Sequence, residues 1–265
     1  MPPNRPFPKR KYSYVTSLTD TAGDPHIPAA SDPARDGLPG DCGACPFSQG
    51  ELCRAVIGSD AENRVSKVGG SIRPRQHIYK SGESRGQIVV LRDGWAIRFV
   101  LTPDGRRQIL SILLPGDIAG GEFLMREEAR LSVQALATPL KYCAFDIADL
   151  KEFAKKDPSL IWTFVGIEIA EHEASEALMV GLGRRNAEQR IARLVLDIYE
   201  RLEKRGLADG NTIPFVLRQK TIADLLGLTR VHVSRVMTAM KTQGIMQLAR
   251  GSLTILDMRA LRAAA

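Results

Sequence analysis

Residues 219 to 241 read QKTIADLLGLTRVHVSRVMTAMK, and this run decides the character of the C-terminal third of the chain. Thr221, with Asp224 three residues on, has the spacing of a helix N-cap. Gly227 supplies the tight turn, and Thr229 caps a second helix. Ile222, Leu225, Leu226, Val233, Val236 or Met237, and Met240 recur at helical spacing and form a shared inner face. What remains outward on the second helix is Arg230, Val231, His232, Ser234 and Arg235. These lie in its N-terminal half, the part that meets base edges when such a helix enters the major groove. Arg235 suits a bidentate guanine contact and Ser234 a base or phosphate hydrogen bond. Val231 suits a thymine methyl, and Thr229, Arg230, His232 and Lys220 complete the DNA-binding candidates on this run. Just downstream, IMQLARGSLTILD (245–257) predicts a β-hairpin wing with Arg250-Gly251 at its tip, which gives Arg250 a phosphate to reach.

Charge agrees with that reading. The chain carries 37 Lys and Arg against 30 Asp and Glu, a net of +7. Residues 184 to 265 hold 15 basic against 7 acidic residues, so the basic excess lies almost wholly in the C-terminal third. A basic domain beside a neutral one is the electrostatic footprint of nucleic-acid binding.

Working upstream, Asn186 with Gln189 forms a capping box for a helix that runs to Lys204-Arg205-Gly206. Before it, Asp157-Pro158 starts a helix without internal proline to about residue 183. Leu160, Phe164, Ile167, Glu171, Ala174 and Leu178 recur on it at close to 3.5 residues, which predicts a dimer seam through Phe164, Ile167, Glu171, Ala174 and Leu178. Glu171 on that seam, with Glu168, Glu173 and Glu176 nearby, predicts like charges facing one another and a weak dimer. From about 65 to 150, short β-type runs (QIVVL, WAIRFVL, QILSILL, SVQALA, KYCAFDI) alternate with turn signals, the pattern of a small antiparallel barrel or jelly roll. The fold class expected is therefore α+β. A proline-rich tail over 1–40 with more than half of the chain's 15 prolines precedes a cysteine loop and sensory barrel (41–156), a dimerisation helix (157–185) and a winged helix-turn-helix domain (186–265).

Three of the four cysteines fall in DCGACPFSQGELCR (41–54) as Cys42, Cys45 and Cys53, and the fourth is Cys143. No apolar run is long enough to span a bilayer and the N-terminus lacks the apolar core of a signal peptide, so a reducing cytoplasm is expected. In that compartment four cysteines point to metal or redox chemistry. Four thiolates suit either tetrahedral zinc or an iron-sulfur cluster, and spacing alone leaves both open. Phe47 and Leu52, inside the loop, are candidates to shield such a centre. No nucleophile with a base, phosphate loop or pair of catalytic carboxylates is apparent, so no enzyme is expected.

GLTRVHVSRVM, GRRNAEQRIA, LLPGDIAGGE and YCAFDIADL, in this order with the cysteine loop, resemble the Crp/Fnr family of bacterial transcription regulators, and within it the Fnr-type oxygen sensors. The resemblance covers about residues 41 to 260. It implies a four-iron four-sulfur cluster on Cys42, Cys45, Cys53 and Cys143. It also implies a homodimer that binds a palindromic operator without oxygen, with RNA polymerase as a further partner. Two departures matter. Gly121-Glu122 is present, but the following MREEARLSVQ lacks the adjacent Arg-Ser of the cyclic-nucleotide branch, which argues against cyclic AMP. Val231 stands where the family commonly has a glutamate that accepts from cytosine, so a different half-site is expected.

Overall fold

The structure is a computed structural model that describes residues 42, 45–48, 50–57, 65 and 67–265. The expected tail, 1–40, lies outside the described residues. Alternating apolar residues separated by glycine turns build eight strands: β1 (Lys67–Ile72), β2 (His77–Tyr79), β3 (Gln87–Asp93), β4 (Ala96–Leu101), β5 (Arg107–Leu113), β6 (Ile118–Ala119), β7 (Ser132–Ala135) and β8 (Leu140–Asp146). They form two four-stranded antiparallel sheets, in the orders β1-β8-β3-β6 and β2-β7-β4-β5. Facing sheets of this kind bury one side of each strand in a common core. Ile78, Ile88, Leu91, Leu140 and Phe145 fill it and are essentially inaccessible. Gly94 is required at its turn: its φ is +78°, and a Cβ there would lie 2.4 Å from the Pro139 carbonyl oxygen.

Helices flank the barrel. A short α1 (Glu51–Ile57) packs against the long α3, and Leu52, Cys53 and Val56 share the barrel core with Leu160 and Phe164. α2 (Ile147–Lys156) is capped by Asp146, whose carboxylate accepts from the Ala148 N–H at 2.8 Å. α3 (Ser159–Arg184) has 26 residues and so a length of roughly 39 Å. Asp157 accepts from the Ser159 N–H at its start, and hydrogen bonding from the Ser159 side chain, then from its N–H, holds its carboxyl below the usual carboxylate range. α4 (Ala187–Lys204) opens on the capping box of Asn186 and Gln189, with both reciprocal bonds at 3.0 Å.

The C-terminal unit follows: β9 (Thr212–Pro214), α5 (Gln219–Leu226), α6 (Arg230–Thr242), β10 (Met246–Ala249), β11 (Ser252–Ile255) and α7 (Met258–Ala264). β10 and β11 form the wing hairpin, and β9 extends it to three strands. Its core is continuous with apolar residues of β4 and β5: Trp95, Ile97, Phe99 and Ile109 cluster with Ile191, Ile222, Val233 and Leu253. No described helix is long and apolar enough to cross a membrane.

The long helix corrects the expected seam. Phe164 is only 8% exposed and lies in the barrel core, Ile167 packs against the same core, and Leu178 packs against the core of the C-terminal unit. Glu171 is bound within its own chain by Arg98 of β4, with Nη1 to Oε2 at 2.5 Å and Nη2 to Oε1 at 3.2 Å. Only Ala174 of the five is exposed. The face expected to meet a partner is therefore the one that meets the barrel. The like-charge argument built on Glu171 falls with it, because Arg98 neutralises that carboxylate. The opposite face carries Trp162 (73% exposed), Val165, Ile169 and Met179 (61% exposed). These extend through His172 and Glu176 in alternating steps of three and four residues, and the His172 Nε2 lies 3.1 Å from the Glu176 Oε1.

Candidate functional site

At one end of the molecule, α5 and α6 present a basic surface. α6 starts at Thr229, whose hydroxyl accepts from the His232 N–H at 3.2 Å, and Val233, Met237 and Met240 turn inward. That leaves Arg230, Val231, His232 and Arg235 exposed on its first two turns, with Ser234 half-buried beside them. Gly227, at φ +63°, closes α5 in the left-handed conformation that joins the two helices. The start of α5 differs from expectation. Its N-cap is Arg218, which makes no side-chain capping bond, and Thr221 is buried in the first turn. Asp224, the presumed partner of Thr221, instead accepts from Arg107 of β5 at 2.8 Å.

Between the start of α5, the length of α6 and the wing runs a groove of about 610 Å³. Its lining includes Arg218, Gln219, Lys220, Arg230, Ser234 and Lys241, four cations without a carboxylate. The uncapped first N–H groups of α5 add partial positive charge at one end. Arg218, Gln219 and Lys241 were missed in the sequence. Lys241 was legible: Arg230, Ser234 and Lys241 recur at helical spacing down one face of α6. Arg250 sits exposed at the hairpin tip beside Gly251.

Polar contacts tie this unit to the barrel. Asp117, next to the β6 strand, accepts from Arg201 and Arg205 of α4, and Arg205 also donates to the Pro115 carbonyl at 2.7 Å. Gln108 of β5 donates to the Leu225 carbonyl at 3.2 Å. In the barrel, Glu122 accepts from the Tyr79 hydroxyl at 3.3 Å. Glu168 of α3 reaches Gly121, and burial, then the neighbouring Glu171, push its carboxyl above the usual range.

The cysteines lie on the barrel side of the chain. Tight backbone turns, Cys45 N–H to Cys42 carbonyl at 3.2 Å and Ser48 N–H to Cys45 carbonyl at 3.0 Å, fold the loop on itself ahead of α1, which carries the buried Cys53. Cys143 comes from β8, between Gly69 of β1 and Val90 of β3. Burial pushes the Cys53 thiol up to about 12, and the charges of Cys143, Cys45 and Cys42 add to that rise. Burial also raises Cys143, against the opposing charge of Arg92. Lys67 Nζ contacts Cys42 Sγ. The four thiols thus share one electrostatic neighbourhood, although no three His, Cys, Asp or Glu side chains among the described residues are grouped to hold a single metal ion. Of the two candidate shields, Leu52 is buried in the barrel core. The Phe47 ring lies against Gly116 and beside Arg205, at the barrel–α4 contact.

Comparison with known proteins agrees with both halves. Residues 70–157 match the cyclic nucleotide-binding domain, and residues 189–264 match the Crp-like helix-turn-helix domain. The nitrogen fixation regulation protein FixK of Bradyrhizobium diazoefficiens is 34% identical over 160 residues, 60% of this chain and 65% of that protein. The anaerobic regulatory protein of Haemophilus influenzae is 26% identical over 224 residues, 83% of this chain and 86% of that protein. Among solved structures, FixK2 from Bradyrhizobium japonicum superposes with a TM-score of 0.69 at 26% identity, covering 76% of this chain and 98% of FixK2. With a barrel, a long helix and a winged helix-turn-helix in this order, the chain belongs to the Crp/Fnr family of transcription regulators.

Proposed function

We propose that this regulator senses oxygen through a four-iron four-sulfur cluster held by Cys42, Cys45, Cys53 and Cys143, and that it binds its operator as an anaerobic homodimer. The observation that carries the reading is that Cys53 of α1 and Cys143 of β8 pack on one apolar core, with the Cys42–Cys45 turn leading into α1. The donor set is four soft sulfurs, which fits an iron-sulfur cluster. Tetrahedral zinc takes the same four sulfurs, and the metal and sulfide assay below separates the two. The relatives named for anaerobic regulation support the same signal. When bound, the cluster supplies sensitivity to oxygen. The chain transmits it: Cys53 sits on α1, α1 leans on the Leu160 and Phe164 side of α3, and the outward face of α3 is free to meet its copy.

We assign the dimer seam to Trp162, Val165, Ile169, His172, Glu176 and Met179, replacing the face that packs on the barrel. On the DNA, α6 enters the major groove, with Arg235 on a guanine edge and Ser234, Arg230 and His232 near it. Thr229 caps that helix and Val231 offers an apolar contact. Arg218, Gln219, Lys220 and Lys241 grip phosphates in the basic groove, and Arg250 does so from the wing. RNA polymerase is the partner at the promoter. The barrel is not read as a cyclic AMP receptor, because no Arg-Ser pair follows Gly121-Glu122 to hold the phosphate and the nearby Arg98 is taken up by Glu171. The test is an assay of iron and acid-labile sulfide on protein purified anaerobically, with visible absorption followed as air enters. About four of each per chain with bleaching in air is expected; zinc without sulfide would overturn the reading.

A further inference from the structure

Two cations, Lys67 and Arg92, stand beside the cysteine site. Gly69 lies opposite Cys143 on β1, and Lys67 is two residues before it, on the same side of a pleated strand. Lys67 Nζ reaches across to Cys42 Sγ, so it touches the loop while rooted in the sheet. On the other side, Val90 of β3 lies opposite Cys143, and Arg92 follows at the β3 bulge. The charge of Arg92 acts on Cys143, and that of Lys67 acts on both Cys143 and Cys53. Among the described residues neither Lys67 nor Arg92 makes an ion pair.

We propose that Lys67 and Arg92 form a cationic collar that holds the cysteine site in its metal-loaded state by offsetting the negative charge four thiolates bring together. This rests on the iron-sulfur reading above, and it names residues beside the ligands rather than ligands themselves. Thiolates gathered in a partly buried site repel one another. A nearby ammonium or guanidinium offsets that repulsion and lowers the cost of assembling all four. Lys67 contributes more, because it contacts a ligand directly and links the loop to β1. Arg92 acts through charge on Cys143 alone.

The experiment compares wild-type protein, Lys67→Met, Lys67→Gln, Arg92→Met and Lys67→Arg, all reconstituted with iron and sulfide under argon. The readout is the rate at which a ferrous chelator strips the visible absorption, with a thermal melt of each metal-free protein confirming the fold. Lys67→Met and Lys67→Gln should lose absorption about tenfold faster, the usual scale for a residue that supports a metal ligand. Arg92→Met should lose it by a smaller factor, and Lys67→Arg should behave as wild type. Variants that load and strip at the wild-type rate would overturn the collar and leave the cluster reading standing. If the wild-type protein takes up neither iron nor sulfide, the cluster reading fails and the collar with it. A Lys67→Arg protein as labile as Lys67→Met would show shape rather than charge at work, and would also overturn the proposal.

Discussion

The two ends of this molecule are built on opposite plans. At the DNA end every working side chain projects from α5, α6 or the adjoining hairpin, whose backs are buried in one core, so the surface is set before it meets a ligand. At the cysteine end the four thiols come from a turn, a seven-residue helix and a strand, and only Cys143 stands in regular sheet. A reading surface gains from preorganisation, since ordering costs are met during folding. A sensor gains from the reverse, because a site completed by its ligand changes the chain that holds it. Between the ends, apolar residues of β4 and β5 run into the core of the C-terminal unit, and polar contacts flank that junction: Asp117 with Arg201 and Arg205, and Arg107 with Asp224.

The contrast is broken most completely at the cysteine end. Cys143→Ala removes the proposed ligand on the rigid sheet and should abolish iron and sulfide uptake while leaving the metal-free melt nearly unchanged; retention of a full complement would remove Cys143 from the set. Next comes the helix between the ends. Ile169→Glu places a charge on the exposed face of α3 and forfeits burial of about 1.5 to 3 kcal/mol per side chain, twice in a symmetric dimer. It should give a monomer by sedimentation even when loaded. Phe164→Glu, by contrast, should unfold the barrel.

The connection itself is sharpened by Asp117→Ala. Asp117 holds two arginines and is only 14% exposed, while they are 32% and 26% exposed. Its loss should cost somewhat less than the about 3 to 5 kcal/mol of breaking a fully buried pair. Calorimetry should show a lowered melting temperature, with the shared apolar core keeping the barrel and the C-terminal unit in one transition. The smallest effect belongs to the preset end. Arg235→Ala should cost about 1 to 3 kcal/mol of operator affinity and relax preference at one base pair, without altering iron content. Lys220→Ala should weaken all sequences alike and lower the salt slope by about one.

What the sequence disclosed follows the range of the interactions involved. The capping box of Asn186 and Gln189, the Thr229 cap and the left-handed Gly227 involve residues within a few positions of one another, and all were legible. The α3 seam was not. Both Leu160-Phe164-Ile167-Glu171 and Trp162-Val165-Ile169-His172 follow a near-heptad spacing, and only the barrel, through Arg98 73 residues from Glu171, chooses between the faces. Asp224 was read as part of a cap because its true partner, Arg107, is 117 residues away. The four cysteines were visible as a set. Lys67 and Arg92 were not, because only the β1-β8-β3 register brings them beside Cys143.

The most direct test of the account is sedimentation velocity on the iron-loaded protein, first under argon and then after air, with detection at both protein and visible wavelengths. A coloured dimer that becomes a colourless monomer is the predicted result. A dimer that persists unchanged as the colour bleaches would contradict the link from the cysteine site through α1 to α3.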